Sequence, residues 1–270
     1  MTDSPYTEQP IYHAQLNWYL FDNSASVFHS LWQDVSDYLA SHHVKTDPAF
    51  FHESETAVSL ASRHTLALGQ ICGLSYGRSL RNRLSYLASF IIDERSVQPG
   101  YYHSVIMTAR PMTLAAIQTE HPNLAAAINE PDSFSGRFAL YLAIGPDITA
   151  PPFKTEIFTG SHLETVRAIA AGKAEIGGID CLSWLMIQRA YPELVPKIFI
   201  AGHSAPMPAP PLIASASLDH TTLELVQEAL TSAFKNPELA QQMYDIGITG
   251  ITMLDEDAFR CFEHFQPITG

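Results

Sequence analysis

Basic side chains are scarce in this chain: 15 Lys and Arg stand against 28 Asp and Glu, for a formal net charge of −13. Without a broad positive face, nucleic acid and anionic lipid surfaces are excluded as partners, and any bound anion must be held by local dipoles. Cysteine is nearly absent as well. Cys72, Cys181 and Cys261 are odd in number and show no CxxC spacing, which suits a reducing compartment better than a disulfide framework. No apolar run approaches the roughly 18 residues of a membrane-spanning helix, so no direct membrane insertion is expected. The segment Met1–Pro10 has neither the basic region nor the apolar core of a secretory leader. The expected location is cytoplasmic for the chain as it stands, or periplasmic if a leader has been removed. HExxH and Walker A patterns do not occur, and the pairs His42-His43 and His52-Glu53 have no matching third ligand in sequence. These absences predict no catalytic residue, no metal and no cofactor.

What is present is a folded length of 270 residues, 46% hydrophobic, without low-complexity tracts or solenoid repeats. Ala14, Leu16, Trp18 and Leu20 alternate as in a strand from His13 to Phe21, and a helix follows, carrying Val27, Leu31, Val35, Tyr38 and Leu39. A helix over 54–66 and strands over 68–74, 84–92 and 101–109 come next. After Arg110-Pro111 the order becomes regular: helix 112–120, strand 124–128, helix 134–144, strand 155–159, helix 162–172, strand 174–179, helix 181–190, strand 197–201. Such alternation predicts an α/β protein with mainly parallel sheets covered on both faces. Pro206, Pro208, Pro210 and Pro211 make 204–211 a stiff, extended crossing segment, followed by strand 212–215 and helices 219–234 and 237–245.

Asn129 to Asp180 is the most informative stretch, because it twice places small hydroxyl residues where a strand hands over to a helix. Ser133, Ser135 and Gly136 precede one helix, and Gly160, Ser161 and His162 open another. Serine there commonly caps the helix. Two such N-termini in one sheet also offer unpaired N–H groups and partial positive charge to an anion. Asp180 ends a strand of small and apolar residues, at the sheet edge where ligands of open α/β sheets bind. There it caps the next helix, meets a ligand, or does both; as a ligand contact it would favour a cationic group. Tyr19, Tyr102 and Trp184 are candidate aromatic walls, and Gly73 beside Cys72 permits close backbone approach.

The series Asn129-x-Pro131-Asp132-Ser133-x-Ser135-Gly136, Gly160-Ser161-His162, Ala171-Gly172-Lys173-Ala174-Glu175 and Ile179-Asp180 resembles the phosphonate and phosphate-like substrate-binding proteins of ABC transporters. Gln70-x-Cys72-Gly73 and Tyr101-Tyr102-x-Ser104-Val105-Ile106 extend the likeness, in the same order, to about 13–255. The resemblance implies the type 2 periplasmic-binding-protein fold, with lobe 1 from 1–105 and 206–270, lobe 2 from 106–205, and two crossing strands between them. It implies a ligand cleft between the lobes, closed by hinge motion, for a small oxyanion or zwitterion, with an ABC permease as a possible partner. In the family's phosphonate binders a Ser-Thr-Ser-Gly turn wraps the phosphonate oxygens, and the His after Gly-Ser adds a donor. The likeness gives those roles to Ser133, Ser135, Gly136, Ser161 and His162, with Phe134 at the middle position of the turn. Cytoplasmic enzymes of menaquinone and thiamine-precursor synthesis resemble the same fold, so catalysis or cytoplasmic ligand sensing stand as alternatives.

Overall fold

The structure, a computed structural model, describes residues 10–145 and 151–265. Met1–Gln9, most of the segment without leader features, lies outside the described residues.

Two five-stranded sheets carry the fold. The first has the order β1 (His13–Gln15), β2 (Leu66–Gln70), β11 (Pro211–Ser215), β3 (Leu84–Ile92), β12 (Ile248–Thr252). The second has the order β7 (Thr155–Phe158), β6 (Ala125–Ile128), β8 (Ile176–Asp180), β5 (Ser104–Thr108), β9 (Phe199–His203). Between them β4 (Tyr101–Tyr102) pairs antiparallel with β10 (Met207–Pro208), so the chain crosses from one sheet to the other twice, side by side. Proline suits this short two-stranded ribbon because it removes a ladder donor without breaking a central strand.

The architecture is the two-lobed type 2 arrangement, but the sheets are mixed rather than mainly parallel. β1–β2, β6–β7 and β6–β8 run parallel. β11 pairs antiparallel with β2 and β3, β12 with β3, and β5 with β8 and β9. For β5 and β11 the cause is the crossing: entering a sheet from the hinge side, each runs opposite to the neighbouring β8 or β2.

α1 (Ala25–Ser41) forms because Val27, Phe28, Leu31, Trp32, Val35 and Leu39 fall on one face and bury there. At about 1.5–3 kcal/mol per buried large apolar side chain, that face fixes the helix, with Phe28 against Phe90 of β3 at 6.2 Å. α8 (His220–Ala233) and α9 (Pro237–Asp245) complete the first lobe's cover, while α4 (Leu114–Glu120), α5 (Ala139–Ile144), α6 (His162–Ala170) and α7 (Cys181–Ala190) serve the second. The first lobe also carries the short α2 (Ala57–Ser62) and α3 (Gly73–Ser75).

Local expectations shift at several places: the helix expected over 54–66 is confined to Ala57–Ser62, the strand over 101–109 is split into β4 and β5, and the helix over 134–144 opens as a π-helical turn over Phe134–Phe138. The strand expected over 13–21 ends at Gln15, and a turn follows that buries Tyr19 and leaves Trp18 exposed. The apolar run 68–74 is divided between the end of β2 and α3, which continues as a π-helical turn over Tyr76–Leu80; short apolar runs do not distinguish strand from helix by periodicity. Beyond α9, β12 and a 3₁₀ segment over Glu256–His264 return to the first lobe.

Candidate functional site

In the second sheet the three parallel strands β7, β6 and β8 end together, and each end carries a predicted site residue. Ser133 follows β6, Ser161 and His162 follow β7, and Asp180 is the last residue of β8. The C-terminal ends of β1 and β2 bring Asn17, Trp18, Phe21, Cys72 and Ser75 from the first lobe to the opposite wall. The cavity between the walls has a volume of about 540 Å³. From the second lobe it is lined by Asn129, Glu130, Asp132, Ser133, Ser161 and His162.

The turn at 133–136 is shaped by its own side chains. Ser133 caps it, its Oγ accepting from Gly136 N at 3.1 Å. Gly136 is required there because a Cβ would collide with Asn129 Oδ1. Gly178 of β8 lets the turn lie against the sheet, since a Cβ would come 3.0 Å from the Ser135 carbonyl oxygen. Ser161 caps α6 in the same way, its Oγ accepting from Glu164 N at 3.1 Å. Both hydroxyls keep a hydrogen to donate.

His162 joins the strand ends. Its Nε2 lies 3.0 Å from Ser135 Oγ and 3.1 Å from Asp180 Oδ2. Asp180 Oδ1 accepts from Ser183 N at 2.7 Å, capping α7, and Oδ2 accepts from Ser183 Oγ at 2.6 Å. Burial pushes the Asp180 pKa up, but the His162 and Ser183 hydrogen bonds outweigh it and hold the group below its ordinary 3.8. An ionised carboxylate only accepts, so His162 Nε2 carries the hydrogen. His162 Nδ1 is buried and has no hydrogen-bond partner among the described residues. Ser135 and Asp180 share one ring nitrogen, so this is not a nucleophile–base–orienter relay, which needs serine and acid on opposite nitrogens.

Of the sequence candidates, Ser133, Ser161 and His162 reach the cavity wall, while Ser135 and Asp180 stand behind it and position His162. The Phe134 ring turns away: 1% exposed, it packs edge-on against Phe262 at 5.0 Å and Phe265 at 5.3 Å. Gly73 sits beneath the same cluster, where a Cβ would come 2.9 Å from Phe262. Tyr19 is buried against Phe28 with rings 6.4 Å apart, and Tyr102 is buried in the crossing ribbon. Burial first, with Asp180 adding for both and Cys72 for Tyr102, raises both phenols well above 10. Trp184 is buried in α7 and Gly136 underlies the turn; neither lines the cavity.

Sequence reasoning missed the first-lobe wall. Trp18 supplies the exposed aromatic surface that had been assigned to its neighbour Tyr19, and only the turn after Gln15 decides between them. Cys72 also lines the cavity. Burial pushes its thiol up, against N–H groups of Phe134, Leu74 and Ser75 that favour the thiolate, so it stays protonated and unreactive at neutral pH. Glu130 and Asp132 went unassigned because an exposed acidic pair beside a proline reads as a solvated turn.

Two lobes joined by paired crossing strands, with a polar cavity at the strand ends of both, define a solute-binding protein of the type 2 periplasmic-binding class. The chain belongs to the family described as ABC transporter, phosphonate, periplasmic substrate-binding protein, which matches residues 19–259. Solved structures with the same fold include a binding protein component of an ABC phosphonate transporter from Pseudomonas aeruginosa (TM-score 0.72, 15% identity, 93% of this chain and 84% of that one). A Prochlorococcus marinus protein in complex with methylphosphonate is similar over 94% of this chain and 96% of that one (TM-score 0.71, 16% identity). So is a chloride-bound protein from Xanthomonas citri (TM-score 0.67, 14% identity, 94% and 95% covered). No curated protein matches the chain. Among the described residues no helix is long and apolar enough to cross a membrane.

Proposed function

We propose that this solute-binding protein closes on a small oxyanion of the phosphonate or phosphate type, with amino-bearing ligands preferred, and hands it to an ABC permease from the periplasmic side. Lobe 1 (1–105 and 206–270, of which 1–9 and 266–270 lie outside the described residues) and lobe 2 (106–205) move about the ribbon of β4 and β10. The observation that carries the reading is His162. It is locked by Asp180 through Nε2 and lines the cavity beside two capping serines, and Nδ1 has no partner among the described residues. Ser133 and Ser161 donate their hydroxyl hydrogens and His162 adds a further contact; a hydrogen bond to a charged ligand oxygen contributes about 1.5–3 kcal/mol. The zwitterion idea moves from Asp180, whose oxygens are engaged within the protein, to Glu130 and Asp132 on the cavity wall. An ammonium group beside them gains from opposite charge at short range.

Titration calorimetry with methylphosphonate and 2-aminoethylphosphonate is the test. His162→Ala should weaken both by roughly 10- to 100-fold, the equivalent of that one bond. Glu130→Gln with Asp132→Asn should weaken only the aminated ligand. Affinity for neither compound, nor for inorganic phosphate, or binding indifferent to His162→Ala, would overturn the assignment.

A further inference from the structure

Away from the cleft, the edge strand β1 and the loop after α1 assemble a donor set that the sequence scatters. His52 lacked a matching third ligand in the linear reading; folding brings His13 and Asp47 to it. One ligand atom from each of His13, Asp47 and His52 lies within 4.8 Å of the others. The loop is held along β1 by Tyr12 N donating to Lys45 O at 2.9 Å, Asp47 N to Tyr12 O at 2.8 Å and Leu16 N to Phe50 O at 2.9 Å. Gln15 grips His52 from both sides, accepting from its N at 3.0 Å and donating to its O at 3.3 Å. Asp47 Oδ1 accepts from Ala49 N at 2.8 Å, which leaves Oδ2 turned towards His13 Nδ1 at 3.8 Å, too far for a hydrogen bond. The rings of His13 and His52 meet edge to face at 5.2 Å. His13 Nδ1 and His52 Nε2 are both buried with no partner among the described residues. Orphaned buried polar atoms cost about 1–3 kcal/mol each, so two facing one free carboxylate oxygen require an explanation.

We propose that His13, Asp47 and His52 bind a divalent d-block cation of the Zn²⁺ class. Two neutral imidazoles and one carboxylate match that class, whereas Ca²⁺ and Mg²⁺ take oxygen donors. Tetrahedral ligands at about 2.1 Å from a metal stand about 3.4 Å apart, so binding closes the present spacing by up to about 1.4 Å, within reach of side-chain rotation on a fixed backbone. The half-buried site leaves the fourth position to water. The ion staples the 45–52 loop to β1, whose continuation through Asn17 and Trp18 forms a cavity wall.

The experiment uses the full chain stripped of metal, titrated with Zn²⁺ by calorimetry and followed by thermal melting, with Co²⁺ as a spectroscopic substitute. One tight site is expected, with Tm raised by about 5 °C at free Zn²⁺ near 100 times Kd. Co²⁺ should give the visible bands of a four-coordinate N/O site. Asp47→Asn, which keeps the Ala49 contact, and His52→Ala should each lose more than the roughly 10- to 100-fold that removing an outer partner costs. His42→Ala with His43→Ala should leave the site intact. Tight Zn²⁺ uptake unchanged in Asp47→Asn and His52→Ala would overturn the assignment. Because the Co²⁺ spectrum is read on the unmodified protein, its absence overturns it even if a variant fails to fold.

Discussion

Asp180→Asn separates holding the fold from tuning the ligand, because the two side chains have the same shape and differ in charge and in one acceptor. The Asn carbonyl can replace Oδ1 and keep the 2.7 Å bond from Ser183 N, so α7 retains its cap. The amide nitrogen replaces Oδ2 and cannot accept, which removes the bonds from Ser183 Oγ at 2.6 Å and His162 Nε2 at 3.1 Å. Each bond to a charged group contributes about 1.5–3 kcal/mol, and relief of a buried charge offsets part of the loss; the net cost is about 2 kcal/mol, or about 5 °C in Tm. The wild-type carboxyl pKa lies below 3.8, so its contribution is present above that pH and is lost as pH falls through the folded value. The variant lacks this acid limb.

The consequence for binding is sharper. Facing Asp180, His162 donates through Nε2; facing an Asn amide donor, Nε2 has to accept, so the ring is held differently. Asp180→Asn should therefore shift the calorimetric Kd for methylphosphonate, and by less than His162→Ala does, since the ring remains. An unchanged Kd would refute the positioning role, and weakening confined to an aminated ligand would return Asp180 to direct contact.

Two further outcomes concern stability. Phe134→Ala should cost about 3–5 kcal/mol in denaturant unfolding, because the ring is 1% exposed among Phe262 and Phe265; a loss below about 1 kcal/mol would mean that the cluster does not hold the turn. His103 lies between β4 and β5, 4.5 Å ring to ring from His203; burial first, then His203, lowers its pKa, with Glu94 opposing. The unfolded chain binds the extra proton between the depressed folded value and 6.5, so stability is lost as pH falls below 6.5, and His103→Gln should flatten Tm between about pH 7 and 5. An unchanged slope would show that His103 is not the titrating group.

Element type was legible where periodicity and caps agreed. Helices 181–190 and 237–245 and strand 84–92 fall on their expected bounds, because Asp180 and Asn236 accept cap bonds and a mostly apolar nine-residue stretch fills an interior strand. Strand direction was not legible, since it depends on which strands enter from the hinge, and no local pattern encodes that. Ser133, Ser161 and His162 could be found because a helix N-terminus announces itself by composition. The first-lobe wall could not. Whether Trp18 or Tyr19 faces the cleft rests on a turn held by Ser24, whose Oγ accepts from Phe21 N and donates to Tyr19 O instead of capping α1. The donor set of His13, Asp47 and His52 is likewise a product of tertiary pairing along β1, invisible to a search for ligands at helical spacing.

The turn Ser133-Phe134-Ser135-Gly136 shows why a linear motif overstates a site. Its four side-chain positions point to four different neighbours: Ser133 to its own backbone, Phe134 to the C-terminal aromatic cluster, Ser135 to His162, and Gly136 to Asn129. The Phe134 N–H is directed at the Cys72 sulfur and the Gly136 N–H at Ser133 Oγ, so most of the donors in this first turn are already occupied. An anion here has fewer hydroxyl and amide partners than a Ser-Thr-Ser-Gly turn would offer. The proposed oxyanion would then need His162 as a further partner, and Asp180, by holding Nε2, fixes how that ring is set.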